Sequence, residues 1–321
     1  MTPGPGLEDV RAYPVVIPMR HRFRGLTHRE AIVLRGPAGW GEFSPFPEYP
    51  PAVAARWLAA ALEAAREGFP APRRQRVPVN VTVPASDPAT ARRIVEGSGC
   101  RTAKVKVAEK GQREAEDLAR VHAVREALGV EGRVRVDANA AWDVPTAVER
   151  IGRLAEFDLE YVEQPVATLE EMRVLRREVA VPVAADELVR TLPDPVRIVE
   201  EGAADVLVLK VQPLGGVTAA LEIAARAEVA VVISSALETS VGLAAGTAAA
   251  GALTQLPYAC GLGTASLLAG DVARPGVVVD NGMVAVGRQD PDPDLLGRYR
   301  PDPAKAEEMV HRLREAANLL T

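Results

Sequence analysis

Five short apolar runs in this chain end in charged side chains: Thr102-Ala103-Lys104-Val105-Lys106-Val107, Arg135-Val136-Asp137-Ala138-Asn139, Tyr161-Val162-Glu163-Gln164-Pro165, Ala184-Ala185-Asp186-Glu187 and Leu207-Val208-Leu209-Lys210. Gathered at one place, the carboxylates of Asp137, Glu163 and Asp186 would repel one another unless a cation sat among them. An all-oxygen donor set favours a hard ion. Mg²⁺, with Mn²⁺ as an alternative, accepts a few carboxylates and keeps positions open for a substrate carboxylate. Lys104 and Lys106 are two residues apart on a strand, so both side chains leave the same face. Two neighbouring ammonium groups beside a divalent cation depress each other's pKa, which makes a lysine a base near neutral pH. Lys210 falls on a later strand, on the opposite wall, where it offers a cation or a second base to the other face of a substrate. Singly, each acid could pair with a lysine or cap a helix, and each lysine could be solvated. The matching strand positions of all six point instead to a site.

Other chemistries fit poorly. None of His21, His28, His122 or His311 ends an apolar run, so neither a histidine-rich zinc site nor a Lys–His base pair is expected. Ser234 and Ser235 lack the partners of a Ser-His-Asp triad. The net charge of −5 and the lack of a long basic run argue against a nucleic-acid surface. No stretch of about 18 uninterrupted apolar residues suggests a membrane span, and no cationic segment with an apolar core opens the chain. Cys100 and Cys260 lie far apart in apolar surroundings, as free thiols of a reducing compartment would. The expected setting is the cytoplasm, the expected partner a small-molecule carboxylate, and no obligate protein partner is implied.

Such strand ends need a frame that brings them together. From Val77 onward short apolar runs alternate with helix-length amphipathic stretches, with runs beginning near Val77, Arg101, Arg133, Leu159, Val181, Asp205, Glu228 and Tyr258. These starts are roughly 22–32 residues apart, the length of one strand, one helix and two loops. Eight of them predict a TIM-type (β/α) barrel, whose active site lies at the carboxyl ends of the strands. A doubly wound open sheet would show a Gly-rich phosphate turn after its first strand, and Pro84-Ala85-Ser86-Asp87-Pro88 is not one. Before the barrel, Tyr13 to Phe23 and Arg29 to Phe43 read as antiparallel strands and Pro50 to Glu67 as a helix. The predicted division is an α+β capping domain at 1–76, the barrel at 77–270, and a segment at 271–321 packing back on the capping domain. That last segment reads as strand-like from Val277 to Val286 and helical from Pro303 to Leu320.

These residues in this order resemble the enolase superfamily. The Lys104-x-Lys106 strand together with Lys210 resembles its muconate-lactonizing subgroup, and the likeness covers nearly the whole chain, down to Gly39-Trp40-Gly41-Glu42 in the capping domain. The resemblance implies that family's modified barrel, removal of a proton next to a carboxylate, and stabilisation of the resulting enediolate by Mg²⁺. It carries the metal ligands onto Asp137, Glu163 and Asp186, the base onto Lys106 with Lys104 as its catalytic neighbour, and the opposing cation onto Lys210. Ser234 to Leu243 and Gly261 to Thr264 are similar to the seventh and eighth strands of the subgroup's dehydrating members. The absence of an acid in the latter run disfavours dipeptide epimerisation. What is implied is loss of water from a cyclohexadiene carboxylate bearing a succinyl chain, with racemisation of N-acylamino acids as the alternative. A Schiff-base aldolase or an inactive metal-binding barrel would be readings outside that class. Ser234, Ser235 and Gly263 are expected to line the substrate pocket. Arg22, with Arg20 and Arg24 in a loop between Pro18 and Gly25, is expected to close over the distal carboxylate.

Overall fold

The computed structural model describes the backbone of residues 6–23 and 25–320 and the side chains of residues 6–20 and 25–320. Three antiparallel strands come first: β1 (Arg11–Phe23), β2 (Leu26–Gly36) and β3 (Gly39–Phe43). Period-two alternation sends Ala12, Ile32 and Leu34 to one face and Val15, Ile17, Ala31 and Val33 to the other, and both faces are buried. The helix Pro51–Arg66 lays Ala54, Trp57, Leu58, Ala61 and Ala65 on the first face. It approaches so closely that a Cβ on Gly41 would collide with the Ala61 carbonyl.

The central sheet is parallel. Its strands are β5 (Val81–Val83), β6 (Thr102–Lys106), β7 (Arg133–Asp137), β8 (Leu159–Glu163), β9 (Val183–Ala185), β10 (Val206–Lys210) and β11 (Ala230–Ser234), preceded by β4 (Arg76–Pro78). Their spatial order is their chain order, β11 to β5 without a crossover, as right-handed β–helix–β units stacked in sequence require. The segment Cys260-Gly261 bridges to Ser234 on one side and to Val79 on the other, both in parallel, and so links the two edges of the curled sheet. The expected eighth strand is therefore only two residues long. Gly261 meets Ser234 so closely that a Cβ there would strike the serine hydroxyl, and Gly263 follows at once. No long helix follows it, only the single turn Thr264–Leu267.

After the barrel the chain is mostly irregular. The strand expected over Val277 to Val286 shrinks to β12 (Met283–Ala285), paired antiparallel with β4, because Asn281 and Gly282 both adopt positive φ and turn the chain just before it. The helix Pro303–Ala317 returns to the N-terminal sheet with Met309, Val310, Leu313 and Ala316 in the same apolar cluster as Trp57 and Leu58. Arg20 belongs to β1 rather than to a loop and is exposed. The Arg22 side chain and Arg24 lie outside the described residues. No helix among the described residues is long and apolar enough to cross a membrane, and both cysteines are free and buried.

Two glutamates join the N-terminal domain to the barrel by occupying helix N-termini. Glu42, on β3, accepts hydrogen bonds from the Thr239 and Gly242 amides and the Thr239 hydroxyl at the start of the helix Ser240–Ala252. Glu63 accepts from the amides of Val217 and Thr218 at the start of the helix Val217–Arg226. Each carboxylate meets unpaired N–H groups and the positive end of a helix dipole. The two helices follow β11 and β10, so the caps fix the domain against the strands that carry Ser234 and Lys210.

Burial nevertheless pushes the Glu42 carboxyl up from 4.5 to about 7, against the hydrogen bonds from Thr239 and Ser44. A raised carboxyl pKa means that the folded chain holds this proton more tightly than the unfolded chain. The stability it contributes is fully present below pH 4.5 and is lost as the pH rises toward about 7. Glu42→Gln should remove up to about 3 kcal/mol of that pH-dependent loss, read as the difference between urea unfolding curves taken below pH 4.5 and above pH 7. Equal losses in the variant and the unaltered protein would mean that Glu42 holds its proton no more tightly in the folded chain than in the unfolded one.

Candidate active site

The register of the parallel sheet brings the charged strand ends to one level. Lys106 pairs with Asp137 and Asp137 with Glu163 across β6, β7 and β8, while Lys210 pairs with Ser234 across β10 and β11. Asp186 follows β9 directly. Lys104 Nζ donates to Glu163 Oε1 at 2.7 Å and stands 3.2 Å from Asp137 Oδ2. Lys106 Nζ donates to Asp137 Oδ2 at 2.5 Å and to Asn139 Oδ1 at 2.6 Å. Lys210 Nζ donates to Asp186 Oδ2. All six residues singled out for the reacting end are thus in one mouth, the three acids buried and the lysines largely so.

The turns just beyond the acids are held in unusual backbone. Asn139, Ala140 and Gln164 have φ of 46°, 61° and 38°, a region that costs non-glycine residues about 1–3 kcal/mol each. Gln164 is held there by its own side chain, whose carbonyl accepts from the amides of Asp186 and Leu188 and so ties the ends of β8 and β9 together. The Asn139 amide donates to Asp137 Oδ1 at 3.0 Å.

Burial works to raise all three carboxyls, and neighbouring cations decide the outcome differently at each. Lys106 and Lys104 hold Asp137 well below the usual carboxylate range. Lys210 and Arg190 hold Asp186 at about 2. Glu163 is different: burial lifts it to about 7 despite Lys104, since Asp137 and Asp186 also repel its charge. Lys104 itself stands well above its ordinary value, because the attraction of Glu163 and Asp137 overcomes the cost of burial. The mutual lowering expected from the Lys-x-Lys spacing is for two ammonium groups beside a divalent cation; here the nearest charges to Lys104 are the carboxylates of Glu163 and Asp137.

A cation fits the donor set. Glu163 Oε2, Asp186 Oδ1 and Glu187 Oε2 are buried and accept no hydrogen bond; the Asp186 oxygen has only Arg190 Nε at 3.7 Å. Uncoordinated, uncompensated carboxylate oxygens of this kind suit a hard divalent ion. Among the described residues no three His, Cys, Asp or Glu side chains form a ready-made cage. The acids are instead drawn to the lysine ammonium groups.

Beside this cluster lies a small pocket lined by Lys104, Lys106, Lys210, Ser234, Ser235 and Thr264, with Phe46 and Leu237 also on its wall. Ser235 Oγ and Thr264 Oγ1 share a hydrogen bond of 2.6 Å. Gly263 faces away, toward the Asn80 carbonyl, and lines a neighbouring groove; Gly261 and Thr264 take its expected place. Sequence reasoning missed Phe46, which comes from outside the barrel, and Arg190. Arg190 donates to Glu187 and to the Tyr49 hydroxyl, and its position four residues after Asp186 on a helical turn was a usable signal.

Residues 87–294 match the enolase C-terminal domain-like family and residues 15–65 the enolase N-terminal domain-like family. The chain belongs to the enolase superfamily, whose members use a divalent metal ion. It is 59% identical over 288 residues to the o-succinylbenzoate synthase of Thermobifida fusca (strain YX), covering 90% of this chain and 91% of that one. The o-succinylbenzoate synthase of Mycolicibacterium smegmatis is 52% identical, with 95% and 96% covered. That of Mycobacterium tuberculosis (strain H37Rv, ATCC 25618) is 51% identical, with 97% and 94% covered. Among solved structures, muconate lactonizing enzyme from Pseudomonas fluorescens superposes with a TM-score of 0.79 at 23% identity, over 91% of this chain and 98% of that one. The L-Ala-D/L-Glu epimerase from Bacillus subtilis gives 0.76 at 21%, over 88% and 96%. These two show the shared fold.

Lys104 supplies the hydrogen bond that Glu163 receives at Oε1. At a pH well above 7, where Glu163 is ionised, Lys104→Met should therefore cost about 3 kcal/mol of unfolding free energy in the presence of a chelator, the usual effect of stripping one partner from a buried ion pair. Guanidinium titration reads it, and a loss below about 1 kcal/mol would mean that Glu163 is protonated when its partner is removed.

Proposed function

We propose that this chain is an o-succinylbenzoate synthase. It removes water from 2-succinyl-6-hydroxy-2,4-cyclohexadiene-1-carboxylate to give o-succinylbenzoate for menaquinone synthesis. The observation that carries this reading is the pairing of a two-walled lysine pocket with relatives of that name at 51–59% identity over at least 90% of the chain. The substrate is a small-molecule carboxylate, and the cytoplasm, where buried free thiols persist, is the proposed location.

Asp137, Glu163 and Asp186 would hold Mg²⁺, with Mn²⁺ as a substitute. When bound, the ion neutralises the substrate carboxylate and favours build-up of charge as the neighbouring proton leaves. The chain's own residues do the rest. Lys106 Nζ takes the α-proton. The C–H electron pair is held first as a planar anion conjugated with the substrate carboxylate, and then becomes the new ring double bond as the C–O bond breaks on the same face. Lys106 then returns its proton to the departing hydroxyl, which leaves as water. Asn139 Oδ1 accepts from Lys106 Nζ and orients it. Lys210, on the opposite wall, keeps its proton and stabilises the planar anion by charge and by contact with the π face. Aromatisation favours product, so the site needs less transition-state stabilisation than a racemase would.

A second reaction, racemisation of N-succinyl amino acids, is supported by one feature: lysines line both sides of the pocket. The two lysines separate the readings. Lys106→Ala should lower dehydration by about 10³-fold or more, followed by product absorbance. Lys210→Arg keeps the cation but not the base. It should retain part of the dehydration and lose solvent-deuterium exchange into N-succinyl amino acids. An active Lys106→Ala variant, or equal loss of both activities in Lys210→Arg, would show that base and cation are wrongly assigned.

The metal is tested separately. Exhaustive chelation should abolish turnover and added Mg²⁺ restore it. Glu163→Gln should weaken Mg²⁺ affinity by about 10-fold or more in calorimetry while leaving the thermal transition cooperative. Full turnover at nil metal content would remove the ion from the reaction.

A further inference from the structure

Arg29, on β2, is 1% exposed and touches neither the acids nor the pocket space. Its guanidinium collects carbonyl oxygens from both domains. Nε donates to Leu237 at 3.0 Å, and Nη2 donates to Ala236 at 3.2 Å and to Ser44 by a short bond. Nη1 donates to Glu30 at 3.3 Å. Its Cζ lies 4.6 Å from the centre of the Phe46 ring, within cation–π range. Among the described residues no carboxylate is close enough to form an ion pair with it. Glu42 and Glu238 act on it only at longer range, and burial pulls its pKa down. An isolated buried cation is costly, several kcal/mol before compensation, and here carbonyl dipoles and one ring face supply that compensation.

Those partners are the pocket wall. Phe46, Ala236 and Leu237 all border the space between the lysines. Leu237 has φ of 65°, a left-handed conformation that a leucine keeps only when its surroundings enforce it. The Leu237 carbonyl is what Arg29 Nε holds.

We propose that Arg29 is a specificity-determining positioning residue. It pins Phe46 from the N-terminal domain and the Ala236–Leu237 turn from the barrel as one rigid wall, and so sets the space left for the side chain of the substrate. The carboxylate end is fixed independently by the lysines and the acids. This inference rests on the proposed function for the identity of the side chain, a succinyl group, and not for the existence of the wall.

Arg29→Met and Phe46→Leu test it. Arg29→Met strips the clamp, and Phe46→Leu removes the ring without burying an unpaired group, which covers the case in which the arginine variant fails to fold. Both should raise KM for dehydration about 10-fold while kcat stays within about 3-fold, the pattern of lost uniform binding. Calorimetry with Mg²⁺ present should show o-succinylbenzoate bound about 10-fold more weakly and benzoate, which lacks the side chain, bound as before. Arg29→Lys should not rescue, because an ammonium cannot serve the same fan of carbonyls. In Arg29→Met, amide hydrogen exchange should quicken at least about 10-fold over residues 236–239 and remain unchanged over 104–106 and 137–139. Parallel losses of kcat and KM, or equal weakening of both ligands, would overturn the proposal. Exchange needs no substrate, so it separates the two readings. A protein that fails to dehydrate but shows the local quickening loses the proposed function and keeps the clamp. One that dehydrates without the quickening loses the clamp.

Discussion

Three carboxylates buried within one barrel mouth must be compensated, and much of the structure follows from how that is done. Asp137, Glu163 and Asp186 are 0–2% exposed, so water does little for their charge. Lysines from β6 and β10 answer them from two sides, and the register of the parallel strands brings these groups to the same height. The balance is incomplete at Glu163, whose carboxyl rises to about 7 and whose second oxygen accepts nothing. A site under-compensated at one carboxylate is one that an added cation would stabilise. The same lysines that pair with the acids in its absence face the pocket where a substrate would lie.

The N-terminal domain is not a loose cover. Glu42 and Glu63 end in the amide-rich starts of two barrel helices, and Arg29 reaches the turn after β11. Each contact pairs a charge from one domain with backbone dipoles of the other. Such contacts are directional, since a carboxylate must sit on the helix axis and a guanidinium must meet carbonyls in its plane. They fix orientation more tightly than an apolar interface of the same size. Phe46 and Tyr49, on the connection after β3, are thereby held at the barrel mouth, Phe46 on the pocket wall and Tyr49 bonded to Arg190.

The barrel and its reacting end were legible in the sequence because the information is local and periodic. A charged residue at or near the end of a short strand needs only that strand and the next loop to be recognised, and Lys104, Lys106, Asp137, Glu163, Asp186 and Lys210 all meet that description. The features that escaped depend on distant contacts. Phe46 lies outside the repeating part of the chain, and only the folded interface turns it toward Lys210. The eighth strand reads as a full run from Tyr258, yet glycine at 261 allows Ser234 so close that only a two-residue bridge remains. Gly263 illustrates the finer limit: on a short glycine-rich turn, neighbours two residues apart need not share a face once the strand has ended.

The apolar core beneath the N-terminal sheet is built from the two halves of the chain that are farthest apart in sequence. Leu7, Ile32, Trp57 and Leu58 pack with Met309, Val310 and Leu313, while everything between them forms the barrel. During synthesis the N-terminal sheet and its first helix therefore leave the ribosome with part of their shared apolar surface still uncovered, until roughly 240 further residues have followed, about tens of seconds at ordinary rates of translation. The barrel, whose strands pair in the order in which they are made, has all of its partners before the sheet has its last helix. Growth of the nascent chain thus favours the catalytic body first and its cover second. The exposed face of the early sheet is the surface on which a chaperone would be most needed.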